Sequence, residues 1–206
     1  MPLSRRAALA LAVLGSIALA GPAHTAQAGV ADPENTMIIT LKDGNVVIAL
    51  RPDLAPKHVA QIKKLVRMHA YDNVAFHRVI SGFMAQTGDV EYGDMAKDYD
   101  PERVGTGGSK LPNLPAEFSK APYVRGTVGM ARSQDPNSAN SQFFIMFAPA
   151  PSLEGNYTVI GNVVSGMQFV DRIKKGDPAE NGAVSSPDRM IKVRIAADMK
   201  NSKGQD

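Results

Sequence analysis

Eight short β-prone runs, bounded by turn residues, lie along this 206-residue chain with no repeating strand–helix–strand rhythm. They cover residues 37–41, 46–50, 75–80, 83–87, 126–131, 142–147, 157–164 and 190–196. Parallel pairing needs a long crossover between strands, usually a helix. Only two helical patterns are present. Pro56 suits the first turn of a helix, and Val59, Ile62, Leu65 and Val66 follow it at helical spacing. Residues 167–174 form the second pattern, with Phe169, Val170 and Ile173 on one side. Most strands must therefore pair antiparallel. Closing such a sheet on itself would remove its exposed edges. The expected fold is mainly β: a closed eight-stranded antiparallel β-barrel capped by two α-helices.

Turn chemistry supports this reading. Asp43-Gly44 between two β-rich runs is a strong hairpin signal. Ser81-Gly82 marks a second turn, and Gly161 inside a strand pattern suggests a bulge or bend. Residues 89–125 are rich in glycine, proline and charge, with no sustained period. An irregular stretch of that length in a compact domain is usually functional or mobile. Within it, Glu117-Phe118 is expected to dock the loop's end on the body. Gly105-Thr106-Gly107-Gly108 resembles a phosphate loop only superficially, because the Gly-Lys-Ser/Thr ending and the following helix are missing.

The first residues read as a targeting segment. Ser4-Arg5-Arg6 gives a short positive start, residues 7–20 are apolar, and Ala26-Gln27-Ala28 is a small-x-small cleavage site. Together these indicate a secretory signal peptide over 1–28, with a membrane anchor as the alternative. Arg5-Arg6 hints at twin-arginine export, but the remainder of that motif is weak and ordinary secretion fits better. The organisation expected is signal peptide 1–28, flexible lead-in 29–36, folded domain 37–198 and disordered tail 199–206. Formal charge is +3, but cleavage after Ala28 leaves 21 basic and 20 acidic residues, a net of +1. That balance argues against nucleic acid as a partner, which requires a clustered basic face. Cysteine is absent, so there are no disulfides and no thiol chemistry.

The chemistry-bearing residues are of an unusual kind. His58 and His69 lie on the first helical pattern but not as i, i+4 neighbours, so a metal site is not expected. His77 should point away from Arg78, its strand neighbour, as a structural histidine. No Gly-x-Ser-x-Gly elbow is present, and no paired carboxylates sit in an apolar setting. What remains is Arg78, Gln86 and Gln142, set among Phe83, Met84, Phe143 and Phe144. A guanidinium on an apolar floor needs a partner, and Gln86 is the candidate. The alternative is an edge-strand arginine whose stem packs while its head reaches water. A set with no nucleophile and no base points to bond rotation or to plain binding.

The run Phe76-His77-Arg78-Val79-Ile80-Ser81-Gly82-Phe83-Met84-Ala85-Gln86-Thr87-Gly88-Asp89 resembles the core motif of the cyclophilins, the cyclosporin-binding class of peptidyl-prolyl isomerases. Gly105-Thr106-Gly107-Gly108, Gly129-Met130-Ala131-Arg132 and Ser141-Gln142-Phe143-Phe144-Ile145 are similar to its later motifs, in order and at similar spacing. The likeness covers nearly all of residues 37–198. Met130-Ala131-Arg132-Ser133-Gln134, with Tyr157 where many eukaryotic members carry histidine, resembles the bacterial exported branch.

The resemblance implies roles residue by residue. Arg78 would be the catalytic arginine and Gln86 would position it and the substrate backbone. Phe83, Met84, Phe144 and Leu153 would line the proline pocket, with Tyr157 as the remaining wall. Ala131, Arg132 and Gln142 would flank the peptide groove. Ser152 falls near the position where cyclosporin-sensitive members carry tryptophan, which puts tight cyclosporin binding in doubt. The function implied is isomerisation of exposed X-Pro bonds in unfolded or folding polypeptides of the periplasm, by a monomer without cofactor, metal or lasting membrane anchor. The other reading is a chaperone module that holds proline-containing segments on the same barrel without turnover.

Overall fold

The computed structural model describes residues 32–200. The expected signal peptide, the first three residues of the lead-in and most of the expected tail lie outside them. In chain order the elements are β1 (Thr36–Leu41), β2 (Gly44–Leu50), α1 (Pro56–Arg67), β3 (Arg78–Ile80), β4 (Met84–Thr87), β5 (Thr127–Met130), β6 (Phe143–Met146), β7 (Val159–Ser165), α2 (Met167–Val170), β8 (Lys192–Ile195) and α3 (Ala196–Lys200). All eight strands pair antiparallel in one sheet, ordered β3-β4-β6-β5-β7-β2-β1-β8.

The sheet curls into a half-barrel rather than the closed barrel expected. Its end strands β3 and β8 share no ladder. The segments next to them meet only through an isolated Ala75–Arg189 bridge and a few backbone bonds, such as Phe76 N–H to Asp188 C=O at 2.8 Å. The cause is local. β3 is three residues long, and the chain before β8 carries Pro187, which has no N–H to give. Curl comes from two register shifts on β7, one against β2 and one against β5. Gly161 sits between them. A Cβ there would lie 2.6 Å from the Ala49 carbonyl oxygen, so the close strand approach requires glycine.

Helix α1 plugs one end of the curl. Val59, Ile62, Leu65 and Val66 are buried in the main core with Met37, Ile48, Val128 and Ile145. Its N-terminus has no side-chain cap of its own. Glu117, from the long loop, accepts instead from the Lys57 and His58 N–H groups (3.1 and 3.0 Å) and meets His58 Nδ1 at 2.6 Å. Burial pushes the Glu117 carboxyl up, but these bonds outweigh it and hold its pKa below the usual value. The loop therefore docks through Glu117, while Phe118 stays exposed.

Three local expectations change. Residues 32–36, expected to be flexible, are folded: a 3-10 turn at Pro33–Asn35 is capped by Asp32, and Thr36 already belongs to β1. Glu34 ties this turn to Lys63 and Arg67 on α1. His69 lies beyond the end of α1 in the left-handed region (φ 57°), not on the helix. Helix α2 stops at Val170 because the bonds tighten there from Asp171 N–H to Met167 C=O to Ile173 N–H to Val170 C=O.

Candidate active site

Strand register builds the site. Arg78 on β3 pairs with Gln86 on β4, and Gln86 pairs in turn with Phe144 on β6. Directly paired residues share a sheet face. One row across three strands therefore carries an arginine, a glutamine and a phenylalanine. Their neighbours Val79, Ala85, Phe143 and Ile145 point the other way into the core. Met84 is on the site's face, and Phe83 lies in the turn just before β4.

These side chains surround a cleft of about 190 Å³ lined by Arg78, Phe83, Met84, Gln86, Ala131, Arg132, Phe144, Leu153 and Tyr157. Gln142 lines an adjoining cleft of about 250 Å³ with Gly105, Thr106, Gly107 and Asn140. The two share Gln86, Ala131 and Arg132. Ten residues singled out from sequence are thus gathered at one place. Ser152 is exposed in the 3-10 turn Pro151–Leu153 that brings Leu153 to the cleft.

The floor of the first cleft is a second apolar cluster, separate from the main core, containing Met84, Tyr123, Phe144 and Met146. Phe144 stacks on Tyr123 (centroids 6.0 Å) and meets Tyr157 edge-on (5.9 Å). Gly129 gives the space for this: a Cβ there would lie 2.5 Å from Tyr123 Oη and 2.7 Å from Phe144 Cζ. The Tyr123 hydroxyl is buried without a partner, and burial pushes its pKa up. Sequence reasoning did not single out Tyr123.

Hydrogen bonds hold the polar groups. Arg78 Nη1 donates to Gln86 Oε1 (3.2 Å), the partner expected from sequence. Gln86 Nε2 donates to Gln142 Oε1 (2.9 Å), and Gln142 Nε2 donates to the carbonyls of Gly105 (3.0 Å) and Gly107 (2.8 Å). Asp89, fully buried, fixes those two glycines. Its Oδ2 accepts from Gly105 N–H (2.7 Å) and Gly107 N–H (2.9 Å), and its Oδ1 from Glu91 and Tyr92 N–H. The glycine-rich stretch therefore anchors a glutamine.

Asn181 is a residue that sequence reasoning missed. Arg78 Nε donates to its backbone carbonyl (3.0 Å) and Nη2 to its Oδ1 (2.8 Å). Asn181 is left-handed (φ 53°) and precedes Gly182. The Asn-Gly pair is a turn signal in the sequence, but nothing local ties it to a strand 103 positions earlier. Burial lowers the Arg78 pKa, with Tyr157 opposing. A guanidinium nonetheless remains cationic at any physiological pH. His77 is buried under Gly105 with both ring nitrogens unpartnered, and burial brings its pKa down to about 4. It is neutral at pH 7 and stands outside the cleft lining. Among the described residues no cluster of His, Asp or Glu could hold a metal ion, and no helix is long and apolar enough to cross a membrane.

Comparison with known proteins accounts for this arrangement. Residues 36–195 match the family model described as cyclophilin type peptidyl-prolyl cis-trans isomerase/CLD. A probable peptidyl-prolyl cis-trans isomerase of Brucella suis is 68% identical over 195 residues, covering 95% of this chain and 98% of the relative. Peptidyl-prolyl cis-trans isomerase CYP23 of Arabidopsis thaliana is 33% identical over 195 residues, covering 94% and 82%. Among solved structures, the cyclophilin AquaCyp293 from Hirschia baltica superposes with a TM-score of 0.67 at 27% identity, over 81% of this chain and 76% of that one. A Cryptosporidium parvum cyclophilin-type isomerase, crystallised with the dipeptide Ala-Pro, shares the fold with a TM-score of 0.66 at 24% identity, over 78% and 98%.

Proposed function

The chain belongs to the cyclophilin-type peptidyl-prolyl cis-trans isomerases, and we propose that its cleft catalyses X-Pro rotation in folding polypeptides through the Arg78 guanidinium. The observation that carries this is the row Arg78–Gln86–Phe144, which sets a cation against an apolar pocket. In a planar amide the nitrogen lone pair is delocalised, and rotation faces a barrier of about 20 kcal/mol. At the twisted transition state that lone pair localises on the prolyl nitrogen. A donor aimed there stabilises the twisted form more than either planar form, which is what speeds the reaction. Arg78 has five N–H donors. Three are committed to Asn181 and Gln86, which leaves one on each terminal nitrogen for substrate.

Uncatalysed exchange takes roughly tens of seconds. Reaching milliseconds requires about 10⁴-fold, or roughly 5.5 kcal/mol. One charged hydrogen bond nets only about 1.5–3 kcal/mol. The remainder is assigned to the dry pocket of Phe83, Met84, Phe144, Leu153 and Tyr157, which holds the ring and strengthens the local field. Gln142 and the groove faces of Ala131 and Arg132 would receive the flanking peptide. Exchange NMR on an Ala-Pro-containing peptide tests the reading. Catalytic amounts of protein should broaden the cis and trans signals, whereas binding without exchange would favour the chaperone reading.

Asn181 is assigned as a positioning residue. Asn181→Gly keeps the left-handed backbone and the carbonyl but removes Oδ1. It should leave the melting temperature nearly unchanged and lower kcat about fivefold with little change in KM. A purely structural role would instead move the melting temperature and leave kcat alone.

The proposed setting is the bacterial periplasm, with exported chains as clients and a monomer as the working form. Support comes from the basic-then-apolar start and the Ala-Gln-Ala site at residues 26–28. Ser152 in place of a large ring also supports weak binding of cyclosporin.

A further inference from the structure

The two guanidiniums on the cleft are uncompensated, and we infer from this that the site selects X-Pro bonds with an acidic residue close by. This rests on the isomerase reading above and adds the class of substrate. Arg78 and Arg132 both line the cleft. Arg78 donates only to the neutral oxygens of Asn181 and Gln86. Arg132 donates only to the backbone carbonyls of Ser133, Gln134 and Asn156, and its guanidinium lies 4.5 Å from the Tyr157 ring centroid. Carbonyl oxygens satisfy N–H groups but do not cancel a charge. Neither arginine pairs with a carboxylate among the described residues. Away from the cleft, Arg51, Arg67, Arg125 and Arg194 each do, whereas Arg103 and Arg172 lie against the rings of Tyr92 and Phe169 instead. What sets Arg78 and Arg132 apart is that both line one cleft.

Three acids close in sequence to the cleft's residues are otherwise placed. Asp135 accepts from Asn137 N–H within its own turn, and Glu154 accepts from Tyr123 N–H behind the pocket. Glu180, next to Asn181, is exposed in the 3-10 turn Pro178–Glu180. The hydrogen bonds and the ring contact hold Arg132 in place, so its charge is presented without further ordering. A guanidinium so held meets a carboxylate well. The low-dielectric wall of Phe83, Phe144 and Tyr157 reduces screening on one side. A peptide in the cleft thus lies in the field of two arginines that no carboxylate among the described residues pairs with.

The test uses the folded protein and matched X-Pro peptides with Glu, Gln or Lys placed in turn at the two residues before and the two after proline. At about 0.01 M salt, Glu in at least one position should raise kcat/KM about threefold over its isostere Gln, and Lys should lower it. The advantage should fade towards unity at about 0.5 M salt, where screening is short-ranged. Arg132→Gln should shrink the Glu-to-Gln ratio, a comparison internal to each variant. The salt series needs no variant and stands even if that substitution perturbs the loop. A ratio of one or below at every position overturns the inference but leaves the isomerase reading intact. A preference that survives both high salt and Arg132→Gln also overturns it, because its source is then not these charges. Failure to turn over any of the peptides overturns the isomerase reading and this one with it.

Discussion

Arg78→Ala is expected to lower kcat/KM for an X-Pro peptide about 100-fold, close to 2.7 kcal/mol of lost transition-state stabilisation. The size follows from what the side chain does. It is a permanent cation that Gln86 and Asn181 together hold against the apolar pocket. Its removal takes away a charged donor in a partly desolvated place, at the upper end of the range for such bonds. The fold should survive, because Arg78 is only half-buried and lies on the sheet's end strand. Arg78→Lys gives the complementary control. An ammonium keeps the charge but has no planar fork, so it cannot meet Gln86 and both Asn181 oxygens together. About a tenfold loss is expected from the lysine variant. A protease-coupled rate measurement at matched melting temperature checks both.

Asp89→Ala should produce the largest loss of stability of any single change considered, about 4 kcal/mol, seen as a fall in melting temperature of about 10 °C. The carboxylate is fully buried and accepts from four backbone N–H groups. Deleting it leaves four donors inside the loop without their acceptor, and each such orphan costs about 1–3 kcal/mol before water or relaxation recovers part of it. Activity should fall as well, by a route other than unfolding. Gly105 and Gly107 carry the carbonyls that hold Gln142, and Gln142 in turn holds Gln86. Asp89→Asn, which keeps one acceptor oxygen and points an NH₂ group at two other donors, should be intermediate. Thermal unfolding followed by far-UV circular dichroism reads the first effect. A melting temperature unchanged in Asp89→Ala would show that the loop does not depend on this residue.

What could be read from the sequence divides along a physical line. Periodicity reports which face of an element is apolar, and it placed α1 through Val59, Ile62, Leu65 and Val66, all buried on the core side. Short-range turn chemistry placed the Asp43-Gly44 hairpin and the turn that pairs Arg78 with Gln86. Partners supplied from far along the chain left no local mark. Asn181 beneath Arg78, Glu117 at the start of α1 and the order that Glu34 gives to the lead-in are all of this kind. Closure of the barrel was misread for a related reason. Edge protection is a tendency of sheets, whereas the short β3 and the proline before β8 are particular to this chain. The site itself was legible because several motifs recur in order, and strand register then brought Arg78, Gln86 and Phe144 into one row.

The central claim is that Arg78 acts on the twisted amide and not on the resting peptide. Titrating one X-Pro peptide into the native protein and into Arg78→Ala, with NMR line shapes fitted for both affinity and exchange rate, tests it most directly. The account predicts that Kd stays within about threefold while on-enzyme exchange slows about 100-fold. Exchange that persists at the native rate, or a loss carried wholly by Kd, would contradict it.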